Sequence, residues 1–119
     1  MDKRNVGHWG EEKAASYLRR KGYRIVAMNY ACRMGEIDII AENRGYVVFA
    51  EVKLRKTDRF AEAREFVTAA KQERIRITAQ MWLSENETEK QPRFDVIEIY
   101  APDGEHTRRI QIEHIQDAF

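Results

Sequence analysis

At 119 residues, with 43% hydrophobic and 34% charged side chains, the chain has apolar material for one core, so a single domain over 1–119 is expected. Its 21 basic and 20 acidic residues give a formal net charge of +1, which supplies no global pull toward a polyanion. The longest apolar run, Tyr46 to Ala50, is far short of the roughly 18 residues that cross a bilayer, no signal-like apolar segment follows the charged start, and the lone Cys32 rules out an internal disulfide or a multi-Cys zinc site, so a cytoplasmic protein with no membrane partner is expected.

In chain order, Glu11 to Lys21 sets Ala14, Ala15 and Leu18 at helical spacing, with Glu11 on the same side of the wheel and Gly22 as the stop. Tyr23 to Tyr30, rich in aliphatic and aromatic residues after that Gly, predicts a strand. Gly35 opens a second strand, Glu36 to Glu42, whose alternation predicts Glu36, Asp38 and Ile40 on one face and Ile37, Ile39 and Ala41 on the other. Asn43, Arg44 and Gly45 break it, and Tyr46 to Leu54 predicts the returning strand of a hairpin. Arg55 to Phe66 is charged and aperiodic, a predicted loop.

Thr68 predicts the cap of a second helix running to about Ser84, with Ile75, Ala79 and Trp82 on one side. Beyond a polar stretch come a strand from Phe94 to Tyr100, a Pro102-Asp103-Gly104 turn, a weaker strand near Arg109 to Ile112 and a short helical tail. The order is α-β-β-β-α-β-(β), and a helical connection from the third strand can reach a parallel neighbour, so an α/β fold with a mixed β-sheet flanked by helices is expected. Charge is uneven along it: residues 1–76 carry 17 basic and 11 acidic side chains, residues 77–119 carry 4 and 9. Such polarity suits one face meeting nucleic acid, and equally suits ordinary solvated helix surfaces.

The hairpin holds the unusual charges. Asp38 lies between Ile37 and Ile39, and Glu51 follows Val47-Val48-Phe49-Ala50 in an otherwise apolar strand. An ionised carboxylate inside a sheet costs several kcal/mol unless a cation, hydrogen bonds or a charged partner compensates it. With a two-residue Arg44-Gly45 turn, Asp38 faces Glu51 and Lys53 lies two residues on; a slip of one residue would separate the carboxylates. Two facing carboxylates without His or Cys suit a hard cation, Mg²⁺ or Mn²⁺, and with Lys53 they suit phosphodiester chemistry. A plain Glu51–Lys53 ion pair, with Asp38 bound to an Arg, fits the same spacing. Arg55, Lys56, Arg59 and Arg64 could track phosphates or simply solvate a loop, and Lys71 and Gln72 in the first turn of the second helix could hold a phosphate at its positive end or face water.

Gly35-Glu36-Ile37-Asp38-Ile39-Ile40-Ala41 followed by Phe49-Ala50-Glu51-Val52-Lys53 resembles the PD-(D/E)XK nuclease signature of the YraN-like family of small predicted endonucleases. The likeness runs from Gly10 to Tyr100, through Gly10-Glu11, Ala14-Ala15, Tyr17-Leu18, Gly22-Tyr23, Val67-Thr68, Lys71-Gln72 and Arg93-Phe94-Asp95-Val96, with Ala69 where a Pro often stands and Phe66 where a smaller residue is common. The resemblance implies a restriction-endonuclease-like core related to archaeal Holliday junction resolvases. It also implies a divalent metal on Asp38 and Glu51 joined by Glu11, Lys53 as catalytic lysine, Glu36 supporting the pocket, DNA as substrate and a homodimer. The alternatives are a non-catalytic nucleic-acid-binding module on the same fold, or a structural or interaction protein whose hairpin charges only pair.

Overall fold

The computed structural model describes residues 3–56 and 67–119, residues 3–6 through their backbone alone. Its elements are α1 (Lys3–Arg20), β1 (Arg24–Cys32), β2 (Gly35–Glu42), β3 (Tyr46–Arg55), α2 (Ala69–Glu85), β4 (Gln91–Tyr100), a 3₁₀ turn at Gly104–His106 and β5 (Gln111–Ile115). β1, β2 and β3 form an antiparallel meander, β4 lies parallel to β3 and β5 returns antiparallel on β4, giving a five-stranded mixed sheet in the order β1-β2-β3-β4-β5. The α/β class and the element order are those expected, with the connection through α2 joining the two parallel strands. No helix among the described residues is long and apolar enough to cross a membrane.

Each helix covers one face of the sheet. Ala14, Ala15 and Leu18 of α1 pack on Ile39, Ala41, Val48, Ala50, Ile97 and Ile99, while Ile75, Ala79 and Trp82 of α2 pack on Ile37, Ile40, Val47, Phe49 and Val96. Each fully buried Leu or Ile stabilises the fold by roughly 1.5–3 kcal/mol, and truncating Leu18 to Ala would cost about 2–5 kcal/mol. α1 ends as its sequence demands: Gly22 adopts φ +94°, its N–H donates to Arg19 O and that of Tyr23 to Leu18 O, a Schellman closure that turns the chain into β1. It begins eight residues earlier than the apolar period indicated. That first part presents Gly10 to the sheet, where an added Cβ would meet Leu54 Cγ at 2.9 Å, so the contact is a close approach with no apolar stripe to read.

The β2–β3 hairpin has the expected register, Ile39 opposite Ala50 and Ala41 opposite Val48, closed at Arg44-Gly45 with Asn43 Oδ1 accepting from the N–H groups of Gly45 and Tyr46. The expected facing of β2 needs correction. Ile37 packs on the α2 side with Ile40, while Ile39 and Ala41 pack on the α1 side. Strict alternation would put Ile37 with Ile39, so the strand changes phase at Asp38. The register places Asn29 of β1 opposite this point, between the Met28–Ile39 and Tyr30–Ile37 pairs, and Asn29 has φ +53°. A left-handed residue facing a phase break is the local distortion that re-aims a strand side chain.

The C-terminal end also differs. β4 starts at Gln91 rather than Phe94, since β5 pairs only with Val96–Tyr100 and leaves Pro92 where its missing N–H breaks no rung to β5. β5 lies at Gln111–Ile115, and the tail is pinned instead of helical: Asp117 N–H donates to Asp95 Oδ1, Ala118 N–H to Phe94 O, and Phe119 stacks on Phe94. Asp95 is fully buried and accepts from Arg93 Nε (2.9 Å), another Arg93 nitrogen (2.8 Å) and His114 Nε2 (2.6 Å); Arg93 also donates to Tyr23 Oη, and Tyr17 Oη meets His114 Nδ1. This network ties α1, β4 and β5 together. Burial opposes the charge of Asp95, but His114 and Arg93 outweigh it and hold the carboxyl below its usual range.

Candidate active site

Past the Ile39–Ala50 pair, the recorded β2–β3 pairing stops one residue short of Asp38 and Glu51. There Asp38 Oδ2 accepts the Val52 N–H at 2.9 Å, so a side chain bridges the strands where the backbone pairing ends. Glu51 projects to the α2 side, buried, with its Oε2 3.1 Å from Lys71 Nζ. Asp38, Glu51, Lys71, Gly35, Glu36, Arg74 and Ile75 line one cavity of about 200 Å³ between the hairpin and the start of α2. Thr68 caps that helix, its Oγ1 accepting from the Lys71 N–H, so the positive helix end stands over the same space.

Burial raises both carboxyls: for Asp38 it outweighs the Val52 hydrogen bond and the nearby lysines, and for Glu51 it is reinforced by the charge of Asp38. The two lysines are shifted in opposite directions. Burial, then contact with Lys71, pushes Lys53 down, whereas Lys71 is held up against its own burial by Lys53 and Glu51. The arrangement is therefore two desolvated, mutually repelling carboxylates, with the Lys71 ammonium on Glu51 and Lys53 beside it. Val52 and Lys71 each engage one oxygen of a carboxylate. All-oxygen donors carrying two negative charges, with a lysine as partial counter-charge, fit Mg²⁺ or Mn²⁺.

The remaining residues divide. Glu36 lines the cavity. Glu11 lies within electrostatic reach of Asp38 and Glu36, and its carboxyl, raised by burial, is hydrogen-bonded to Asn29. Among the described residues no three His, Cys, Asp or Glu side chains form the ligand set of one ion, so Glu11 is near the pair without completing it. Arg55 lies 3.5 Å from buried Glu98, away from the cavity lining, and Lys56 is exposed just beyond β3. Arg59 and Arg64 fall outside the described residues. Gln72 turns back to donate to Val67 O, bracing the helix start.

Sequence reasoning missed three groups. Arg74 lines the cavity one turn beyond Lys71, a spacing of three that a helical wheel would have flagged. Glu98, paired in register with Lys53, is a carboxylate inside an apolar strand, the same signal that exposed Glu51. Asn29 gives no such signal, because its left-handed backbone is a product of the β1–β2 pairing.

The fold and this site define an α/β protein with a carboxylate–lysine notch at the split end of a mixed sheet. The chain belongs to the uncharacterised protein family UPF0102, matched over residues 10–99, in agreement with the YraN-like resemblance. It is 46% identical over 118 residues to UPF0102 protein STH1475 of Symbiobacterium thermophilum, covering 98% of this chain and 97% of that protein. UPF0102 protein TTE1452 of Caldanaerobacter subterraneus subsp. tengcongensis is 42% identical over 120 residues, covering 100% and 98%. UPF0102 protein VP0448 of Vibrio parahaemolyticus is 45% identical over 102 residues, 84% of each chain.

Proposed function

We propose that this protein is a metal-dependent endonuclease that hydrolyses phosphodiester bonds in structured or branched DNA, acting in the cytoplasm as a homodimer. The observation that carries the reading is the meeting of Asp38, Glu51 and Lys71 at one cavity under the start of α2, with Lys53 within electrostatic reach of all three. Two desolvated carboxylates that line one cavity and repel each other oppose folding, a cost that stability alone gives no reason to keep. Asp38 and Glu51 would hold Mg²⁺ or Mn²⁺, which when bound supplies charge to offset that gathering on the phosphate. Lys53, whose charged form burial and Lys71 disfavour, would orient the attacking water. Lys71, Arg74 and the α2 N-terminus would receive the phosphate. The two-fold symmetry of a dimer suits two strands cut symmetrically.

The test is incubation with branched, nicked and linear DNA in Mg²⁺ or Mn²⁺. Cleavage should occur and should fall by about 100-fold or more in Asp38→Ala and Lys53→Ala. Binding that strengthens as salt falls, without cutting, would make the protein a non-catalytic nucleic-acid module; no binding at low salt would leave the charges a structural role.

A further inference from the structure

Lys71 stands where a cation would. Its ammonium is 3.1 Å from Glu51 Oε2, one of the two carboxylates proposed to hold the metal, and the pair sits at the cavity edge with Glu51 buried and Lys71 34% exposed. Glu51 is anchored by a central strand, whereas Lys71 reaches it by a flexible four-carbon stem from the first turn of α2. A divalent ion drawing fully on Glu51 would compete with that ammonium, and the ammonium can leave by side-chain rotation alone. The space open to it is the cavity lined by Arg74, one turn along the same helix face.

We propose that Lys71 is a displaceable counter-ion: it neutralises Glu51 until a divalent cation takes its place, and the freed ammonium then engages the substrate phosphate. This rests on the metal-dependent reading above and adds that cation and phosphate bind cooperatively through one side chain. Exchanging a single positive charge at Glu51 for a double one, while moving the single charge outward, makes the notch more attractive to a phosphate. By reciprocity the phosphate then tightens the cation.

The experiment measures Mn²⁺ binding to the full chain, without DNA, by loss of the free-ion paramagnetic resonance signal at fixed ionic strength. Lys71→Met should bind Mn²⁺ about 5–10-fold more tightly than the wild type, because the competitor is gone. Lys71→Arg, which keeps a cation on Glu51, should show no gain. Arg74→Met removes an equal charge from the same cavity and should gain less than about twofold. In a second arm, Ca²⁺ should tighten binding of a four-way DNA junction by the wild type more than by Lys71→Met. Equal gains in Lys71→Met and Arg74→Met would reduce the effect to a general field, and no gain in Lys71→Met would show no competition. Either result overturns this inference and leaves the endonuclease reading standing. Absence of Mn²⁺ binding in every variant at millimolar concentrations overturns both.

Discussion

The side chain of Asp38 accepts the N–H of Val52 at 2.9 Å, one residue beyond the last recorded backbone pair of β2 and β3. A carboxylate so placed has a structural duty that an amide could perform and a charge that the fold resists, since burial raises its carboxyl. Asp38→Asn should therefore keep the hydrogen bond and stabilise the protein at pH 7 by about 1 kcal/mol, while abolishing cleavage. Asp38→Ala leaves the Val52 N–H without its partner and should fall about 1–3 kcal/mol below Asp38→Asn. Urea denaturation of the three proteins reads this; an asparagine variant less stable than the wild type would refute it.

Asn29 allows the backbone to be separated from the side chain. Its φ of +53° favours Gly, while its amide holds Glu11 near the notch. Asn29→Gly should retain the wild-type melting temperature within a few degrees, whereas Asn29→Ala should lose about 1–2 kcal/mol from the left-handed backbone. Both release Glu11, so equal changes in Mn²⁺ affinity are expected despite unequal stability.

Gly10 reverses a common rule. Gly to Ala inside a helix ordinarily stabilises by about 1 kcal/mol. Here the new methyl would lie 2.9 Å from Leu54 Cγ, so Gly10→Ala should destabilise. In a Leu54→Ala background the same substitution should become stabilising, and a double-mutant cycle by thermal unfolding would expose the change of sign.

Acid sensitivity should centre on Asp95. Its carboxyl titrates below the ordinary value in the folded state, because His114 and Arg93 outweigh burial. Its contribution is thus complete above the unfolded value, about 3.9, and is lost as pH falls through that value toward the lower folded one. Asp95→Asn should cost about 3–5 kcal/mol at pH 7, by leaving the buried Arg93 without its charged partner, and should flatten the stability profile between pH 5 and the acid limb. An acid limb of unchanged steepness would assign the sensitivity to other groups.

Local chemistry was enough to specify much of this protein. The Arg44-Gly45 turn set the hairpin register, Gly22 and Thr68 marked a helix end and a helix start, and the conflict between charge and apolar surroundings singled out Asp38, Glu51 and Lys53. These features are decided within a few residues of chain, by turn geometry, capping and the energy of burying a charge. Tertiary structure decided the rest: the phase change of β2 against Asn29, the meeting of Lys71 with Glu51 across 20 residues of sequence, and the clasp of Asp95 with His114. Each depends on how two elements approach in space, and residues far apart in sequence carry no periodicity that records the distance between them.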